Sequence, residues 1–281
     1  MTENEVRLRN IPWYKDLVDY FNVSPEQALE LGTRKPNRKP DLPGSKTCEP
    51  VSGLTHEDIW EARERKTQED IFSFYKDQGA WSAFRQCVRL SEAAGAYQHL
   101  LNSSFRGLKD DAHVICEYGC GVASFSFLLL NGIPPSKKIK IYLSDVDCEH
   151  FTFGIWRLEK IIKTRGLDNV EIVPKVILPD ELPCYEDPLD IVFIHEVLEH
   201  VPDPFETTKN LFNHMNEKAS FVENFIKHEP AEDEEEGCDL LSAREGRGKY
   251  YNFLEKNFEL FMGESEKTNP NGTRIWKKAT K

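Results

Sequence analysis

The chain has 281 residues, 39% of them hydrophobic and 30% charged, with a formal net charge of −12. This composition supplies a core for one substantial domain plus an accessory segment, and no apolar run approaches the ~18 residues of a membrane span. The negative balance argues against a nucleic-acid partner, whose footprint needs clustered Lys and Arg, and favours a small-molecule acceptor.

The amino terminus, MTENEVRLRNIPWYKDL, is polar and has no apolar signal core, so export is not expected. Seven cysteines (Cys48, Cys87, Cys116, Cys120, Cys148, Cys184 and Cys238) are odd in number and form no C-x-x-C pair. Reduced thiols in a cytoplasmic protein are expected, rather than a disulfide framework or a zinc ribbon.

Residues 1–85 read as a helical accessory region. NVSPEQALELG places Ser24 as an N-cap, Pro25 at the first helical position, Gln27 in a capping box and Gly32 as a stop. A Pro- and Lys-rich linker follows over 33–50, and apolar residues at helical spacing resume from Thr55, with a break near Gly79. Tyr75 and Trp81 fall in this part, where core packing competes with a role as a lid.

From about residue 112 the texture changes. Short apolar runs (HVICEY, KIKIYLSDVD, VEIVPKVI, LDIVFIH, ASFVENFI) alternate with amphipathic stretches (SFSFLLLNG, FTFGIWRLEKIIKTRG, PFETTKNLFNHM). Strand alternating with helix predicts a mostly parallel sheet covered on both faces, and such sheets bind ligands outside the carboxyl ends of their strands. The acidic stretch 229–237 reads as a solvated loop. YYNFLEKN, FELFMGES and TRIWKKA then predict a helix and two strands joined across KTNPNG.

Three signals stand at the ends of three predicted strands. EYGCG places Glu117 beside Gly119, Cys120 and Gly121, where a bare backbone lets a ligand approach closely. Asp145 closes the next strand, and a carboxylate there can accept both hydroxyls of a ribose. LDIVFIHEVLEHVPDP opens on Asp190 and runs into a polar turn carrying His195, Glu196, Glu199 and His200, before Asp203, Pro204 and Glu206 start a helix. Together these describe a nucleoside-type site.

CEYGCGVAS, LSDVDCEHF and LDIVFIHEVLEHVPDP, in this order and spacing, resemble the motifs of class I S-adenosylmethionine-dependent methyltransferases, and EVLEHV resembles their ubiquinone-type subgroup. The resemblance covers roughly residues 85 to 228. It implies an α/β, doubly wound, mostly parallel Rossmann-like sheet over 86–281, an antiparallel C-terminal hairpin, and an N-terminal helical cap over 1–85. It further implies an enzyme that uses S-adenosylmethionine, with Glu117, Gly119, Cys120 and Gly121 along the methionine part, Asp145 on the ribose and Val146 beside the adenine. Ile194 and His195 would line the cofactor near its sulfonium, and Tyr75 would cover it. A hydroxyl oxygen is the expected acceptor, with His195 and His200 as candidate catalytic bases.

The sequence departs from the family pattern in two places. Ala123 replaces the third glycine, and no acid follows the third strand in IVPKVILPDEL to read the adenine amino group, since Asp180 comes late. If EVLEH is helical, Glu196, Glu199 and His200 share one face and admit a divalent metal, with His228 as a further ligand. Against these readings, His195 and His200 can simply satisfy a turn. GCGVAS also leaves a nicotinamide-dependent oxidoreductase open, although Ser124 stands where its third glycine belongs. A catalytically silent cofactor-binding scaffold is the remaining alternative.

Overall fold

The computed structural model describes residues 12–24, 67–76, 79–108, 112–227 and 239–280. The predicted helix after Ser24, the linker 33–50, the acidic loop 229–237 and His228 lie outside the described residues, as does the side chain of Trp81.

Three helices precede the sheet: α1 (Pro12–Phe21), α2 (Gln68–Lys76) and α3 (Gly79–Ser104). Then follow β1 (Ala112–Tyr118), α4 (Ser124–Gly132), β2 (Lys138–Asp145), α5 (Glu149–Arg165), β3 (Val170–Val176), β4 (Leu189–His195), a 3-10 turn (Leu198–His200), α6 (Pro204–His214) and β5 (Met215–Asn224). The chain closes with α7 (Leu241–Asn257), β6 (Phe258–Met262) and β7 (Arg274–Lys278). α3 is continuous across residues 85 and 86, so the expected domain boundary falls inside a helix.

The seven strands form one sheet in the order β3-β2-β1-β4-β5-β7-β6. β1 to β5 are parallel, with registers such as Ile115↔Ile141 and Ile115↔Ile191, whereas β7 runs antiparallel to both β5 and β6. The strand order reverses between β1 and β4, which opens a crevice at their carboxyl ends.

The parallel strands read as near-continuous apolar runs because both faces are covered. Ile115, Ile141, Ile191 and Phe193 point into the layer under α3, α4 and α5, while Cys116, Tyr142, Val192 and Ile194 point into the layer under α6 and α7. Local signals set the helix ends. Asp203 accepts the Glu206 N–H at 2.9 Å to cap α6, as the sequence predicts. Gly166, at φ 61, ends α5 and donates its N–H to the Ile162 carbonyl. At the far end of the sheet, Asp190 ties three strands together by accepting the Val114 N–H at 2.8 Å and the Asn216 amide at 2.7 Å. It is thus a structural residue, remote from the crevice. α1 packs Trp13, Tyr14 and Leu17 against Phe84 of α3 and Phe153 of α5, and Lys160 bridges Asp16 and Asp19 at 2.8 and 2.9 Å. No helix among the described residues is long and apolar enough to cross a membrane.

Candidate cofactor pocket

The Gly119–Ala123 turn crosses the mouth of the crevice in a left-handed path, with φ of 62 at Gly119, 51 at Gly121 and 55 at Ala123. Glycine takes this conformation without strain, whereas the alanine that replaces the third family glycine carries about 1 kcal/mol for it. A Cβ on Gly119 would lie 2.4 Å from Val197 Cγ2, and one on Gly121 would lie 2.1 Å from Gln86 Oε1. Gly119 is therefore backed by Val197 of the polar turn. We expect Gly119→Ala to lower stability by roughly 1–3 kcal/mol through backbone strain and overpacking. Val197→Ala should recover the packing part, and chemical denaturation of the single and double variants checks both.

Glu117 is buried in the wall of the crevice, and its carboxylate is taken up by α4. Its carboxylate accepts the Phe125 N–H at 3.1 Å and, from Ser126, the N–H at 2.9 Å and the hydroxyl at 2.6 Å. It thereby caps α4, and because α4 begins directly after the glycine turn, Glu117 fixes the path of that turn. Burial raises its pKa, with the Ser126 hydrogen bonds opposing the shift.

Asp145, at the end of β2, is the carboxylate that faces the turn. Gly121 N–H donates to Oδ2 at 2.5 Å and Val146 N–H to Oδ1 at 2.7 Å. Burial pushes its pKa up to about 6 against these two hydrogen bonds. Among the described residues, Asp145, Cys148 and His150 bring ligand atoms within 4.8 Å of one another. Burial holds the Cys148 thiol well above its ordinary range and His150 down at about 4.

A cavity of about 400 Å³ joins these groups. Its lining includes Glu117, Gly119, Cys120 and Gly121 after β1, Asp145, Val146 and His150 after β2, Ile177 after β3, and His195, Glu196, Glu199 and His200 after β4. α2 adds Gln68, Ile71, Phe72 and Tyr75, and α3 adds Gln86, Arg89 and Tyr97. Nearly all the expected site residues therefore converge on one cavity. Ile194 does not: strand alternation sends it, fully buried, into the opposite core layer, away from this cavity.

His195 stands at the end of β4 against an aromatic wall. Phe193 stacks on Phe125 at 4.4 Å, Phe125 on Tyr97 at 4.9 Å, and the His195 ring meets Tyr97 edge-on at 5.2 Å. Its Nε2 lies 3.3 Å from Thr273 Oγ1. Burial, reinforced by Arg89, lowers its pKa to about 4, so the ring is uncharged at neutral pH. The His200 ring faces that of Tyr75 at 6.4 Å.

The expected metal face does not form. Only Leu198–His200 is helical, a single 3-10 turn, and Glu196 lies outside it at φ 57. Glu196 instead pairs with Arg89 at 2.6 Å and takes its backbone position from Asn224, which accepts the Glu196 N–H at 2.6 Å. Glu196, Glu199 and His200 are thus not stacked on one helical face, although all three line the cavity. Gln86, Arg89, Tyr97, His150 and Ile177 were not singled out from the sequence. Ile177, directly after β3, carried a positional signal; the α3 residues read only as an amphipathic helix.

The chain matches no protein-family model and no curated protein sequence. Solved structures do match. The small RNA methyltransferase HEN1 aligns with a TM-score of 0.50 at 16% identity, covering 67% of this chain and 25% of HEN1, so the chain spans a quarter of that protein. The N-methyltransferase NodS from Bradyrhizobium japonicum WM9, solved with S-adenosyl-L-homocysteine, aligns at 0.42 and 14% identity over 66% of this chain and 87% of NodS. The O-methyltransferase TomG from Streptomyces achromogenes, solved with S-adenosylmethionine, aligns at 0.40 and 15% over 68% of this chain and 89% of TomG. The sheet order, with its antiparallel β7 beside β5, is the class I methyltransferase fold.

Proposed function

We propose that this chain transfers a methyl group from S-adenosylmethionine to a small-molecule acceptor, with a hydroxyl oxygen receiving it. One observation carries the reading: the left-handed glycine turn and the buried Asp145 carboxylate face each other in a single cavity at the carboxyl ends of β1, β2 and β4. The groups present fit the cofactor. Asp145 would take the ribose hydroxyls, Val146 and Ile177 would flank the adenine, and the backbone of Gly119, Cys120 and Gly121 would run along the methionine part. Arg89, exposed and paired with Glu196, offers a guanidinium to a carboxylate. Glu117 acts through α4 by holding the turn in place. When bound, the cofactor supplies an electrophilic sulfonium methyl, and the protein's task is alignment and exclusion of water.

The histidines divide the remaining work. An imidazole with a pKa of about 4 is a weak proton acceptor at neutral pH, so His195 serves as an uncharged hydrogen-bonding wall. Proton removal from the acceptor hydroxyl is assigned to His200. Residues 1–85 act as a cap, a reading supported by Ile71, Phe72 and Tyr75 of α2 in the cavity lining. The small-molecule acceptor is favoured over a nucleic acid by the net charge of −12.

The pH dependence of binding tests this assignment. Asp145 in the free protein has its pKa raised to about 6, so below that value it is increasingly protonated. Ribose hydroxyls donate to the ionised form, so S-adenosylhomocysteine affinity should fall as pH drops below about 6, approaching tenfold per pH unit. The protein's own stability moves the other way. A raised carboxyl favours folding below its unfolded pKa, and that contribution is lost as pH rises through about 6. Calorimetry across this window, with Asp145→Asn as control, reads the effect; the variant should show a flat profile. An equally flat wild-type profile would detach Asp145 from the cofactor.

A further inference from the structure

Glu199 is the most unusual polar group in the cavity wall. It is 1% exposed, and neither carboxylate oxygen has a hydrogen-bond partner in another of the described residues. An unpartnered buried carboxyl is costly, and burial sites of this kind are kept where a ligand completes them. The groups around it set the sign of that ligand. Asp239, paired with Arg244 at 3.7 Å, and Glu196, paired with Arg89 at 2.6 Å, still act on Glu199 as negative charges, and Arg247 opposes them. Arg247 is itself occupied by Glu266 at 3.4 Å and by the Pro270 carbonyl. Phe72, Tyr75 and Tyr118 supply aromatic faces in the same cavity, which also favour a cation.

We infer that Glu199 anchors a positively charged nitrogen of the acceptor, so that the substrate class is an amine-bearing hydroxyl compound. This deepens the methyl-transfer reading and rests on it. The same ammonium chemistry exists in the methionine part of the cofactor, and the test separates the two sources. Burial holds the Glu199 carboxyl well above its ordinary range. An ammonium group in contact with it opposes that shift.

The experiment titrates the full chain, with and without S-adenosylhomocysteine, with benzylamine and with benzyl alcohol as probes. Benzylamine should bind at least ~10-fold more tightly than the alcohol, read from calorimetry. Glu199→Gln should abolish the preference, keep wild-type affinity for S-adenosylhomocysteine, and melt no lower than wild type. Equal binding of the two probes, or a preference that survives in Glu199→Gln, overturns the inference. Loss of S-adenosylhomocysteine affinity in the variant assigns the carboxyl to the cofactor, and a lowered melting temperature assigns it to the fold; either overturns it too. Failure of the wild type to bind S-adenosylhomocysteine strikes the cofactor reading instead, and that arm is scored separately from the amine arm.

Discussion

Asp145→Ala is expected to weaken S-adenosylhomocysteine binding by on the order of 100-fold or more, because two hydrogen bonds to a charged group contribute roughly 1.5–3 kcal/mol each. The same carboxylate receives the N–H groups of Gly121 and Val146, so the alanine also leaves two backbone donors without their partner. The glycine turn should loosen with it. Asp145→Asn separates the two roles: it keeps an acceptor oxygen for the backbone while removing the charge. Calorimetry on both variants, with thermal melts as a fold control, should place the asparagine between wild type and alanine in stability and close to alanine in affinity. Wild-type affinity in Asp145→Ala would mean that the pocket does not read a ribose through this residue.

The second large effect lies in the C-terminal hairpin. Arg274 and Glu223 are both 0% exposed and pair at 3.4 Å. Arg274 also donates to the Gly272 carbonyl at 2.9 Å, the Glu264 carbonyl at 2.8 Å, the Tyr251 hydroxyl at 3.0 Å and the Asn269 carbonyl, closing the turn before β7. Glu223 in turn accepts the Trp276 indole N–H at 3.0 Å. Arg274→Met would strand a buried carboxylate and several carbonyls, at a cost of roughly 3–5 kcal/mol. A chain of this size should then melt about 10 °C lower. Adding Glu223→Gln should recover part of the loss, since the stranded charge is gone while the carbonyls stay unpaired. The turn also carries Thr273, which faces His195 at 3.3 Å, so the damage should reach the pocket. A melting temperature within about 2 °C of wild type would show that the network is dispensable.

Much of this architecture was legible in the residues. The alternation of apolar runs and amphipathic stretches after residue 112 marks buried parallel strands, because such strands need no polar face. EYGCG and the position of Asp145 located the crevice, since a glycine turn and a strand-end acid are constrained by local backbone geometry. A shared metal face required EVLEH to be helical, whereas Asn224 holds Glu196 in a left-handed conformation outside the single 3-10 turn, a tertiary contact that local spacing does not encode. The Ile194 side chain falls outside this cavity because adjacent strand residues face opposite layers, and His195 takes the cavity side. Arg89 and Gln86 were invisible because nothing in an amphipathic helix announces which polar residue will meet a distant loop, as Gln86 meets Val122 and Arg89 meets Glu196. The isolation of Glu199 is a property of three-dimensional packing, and no one-dimensional pattern encodes it.

The central claim is that the cavity after β1 and β2 is a site for a sulfur nucleoside. Calorimetric titration of the full chain with S-adenosylhomocysteine and with NAD, at about pH 7.5 where Asp145 is ionised, tests it most directly. Saturable binding of S-adenosylhomocysteine, with NAD at least ~10-fold weaker, is the result the account predicts. Equal or tighter binding of NAD, or no heat with S-adenosylhomocysteine, would contradict it.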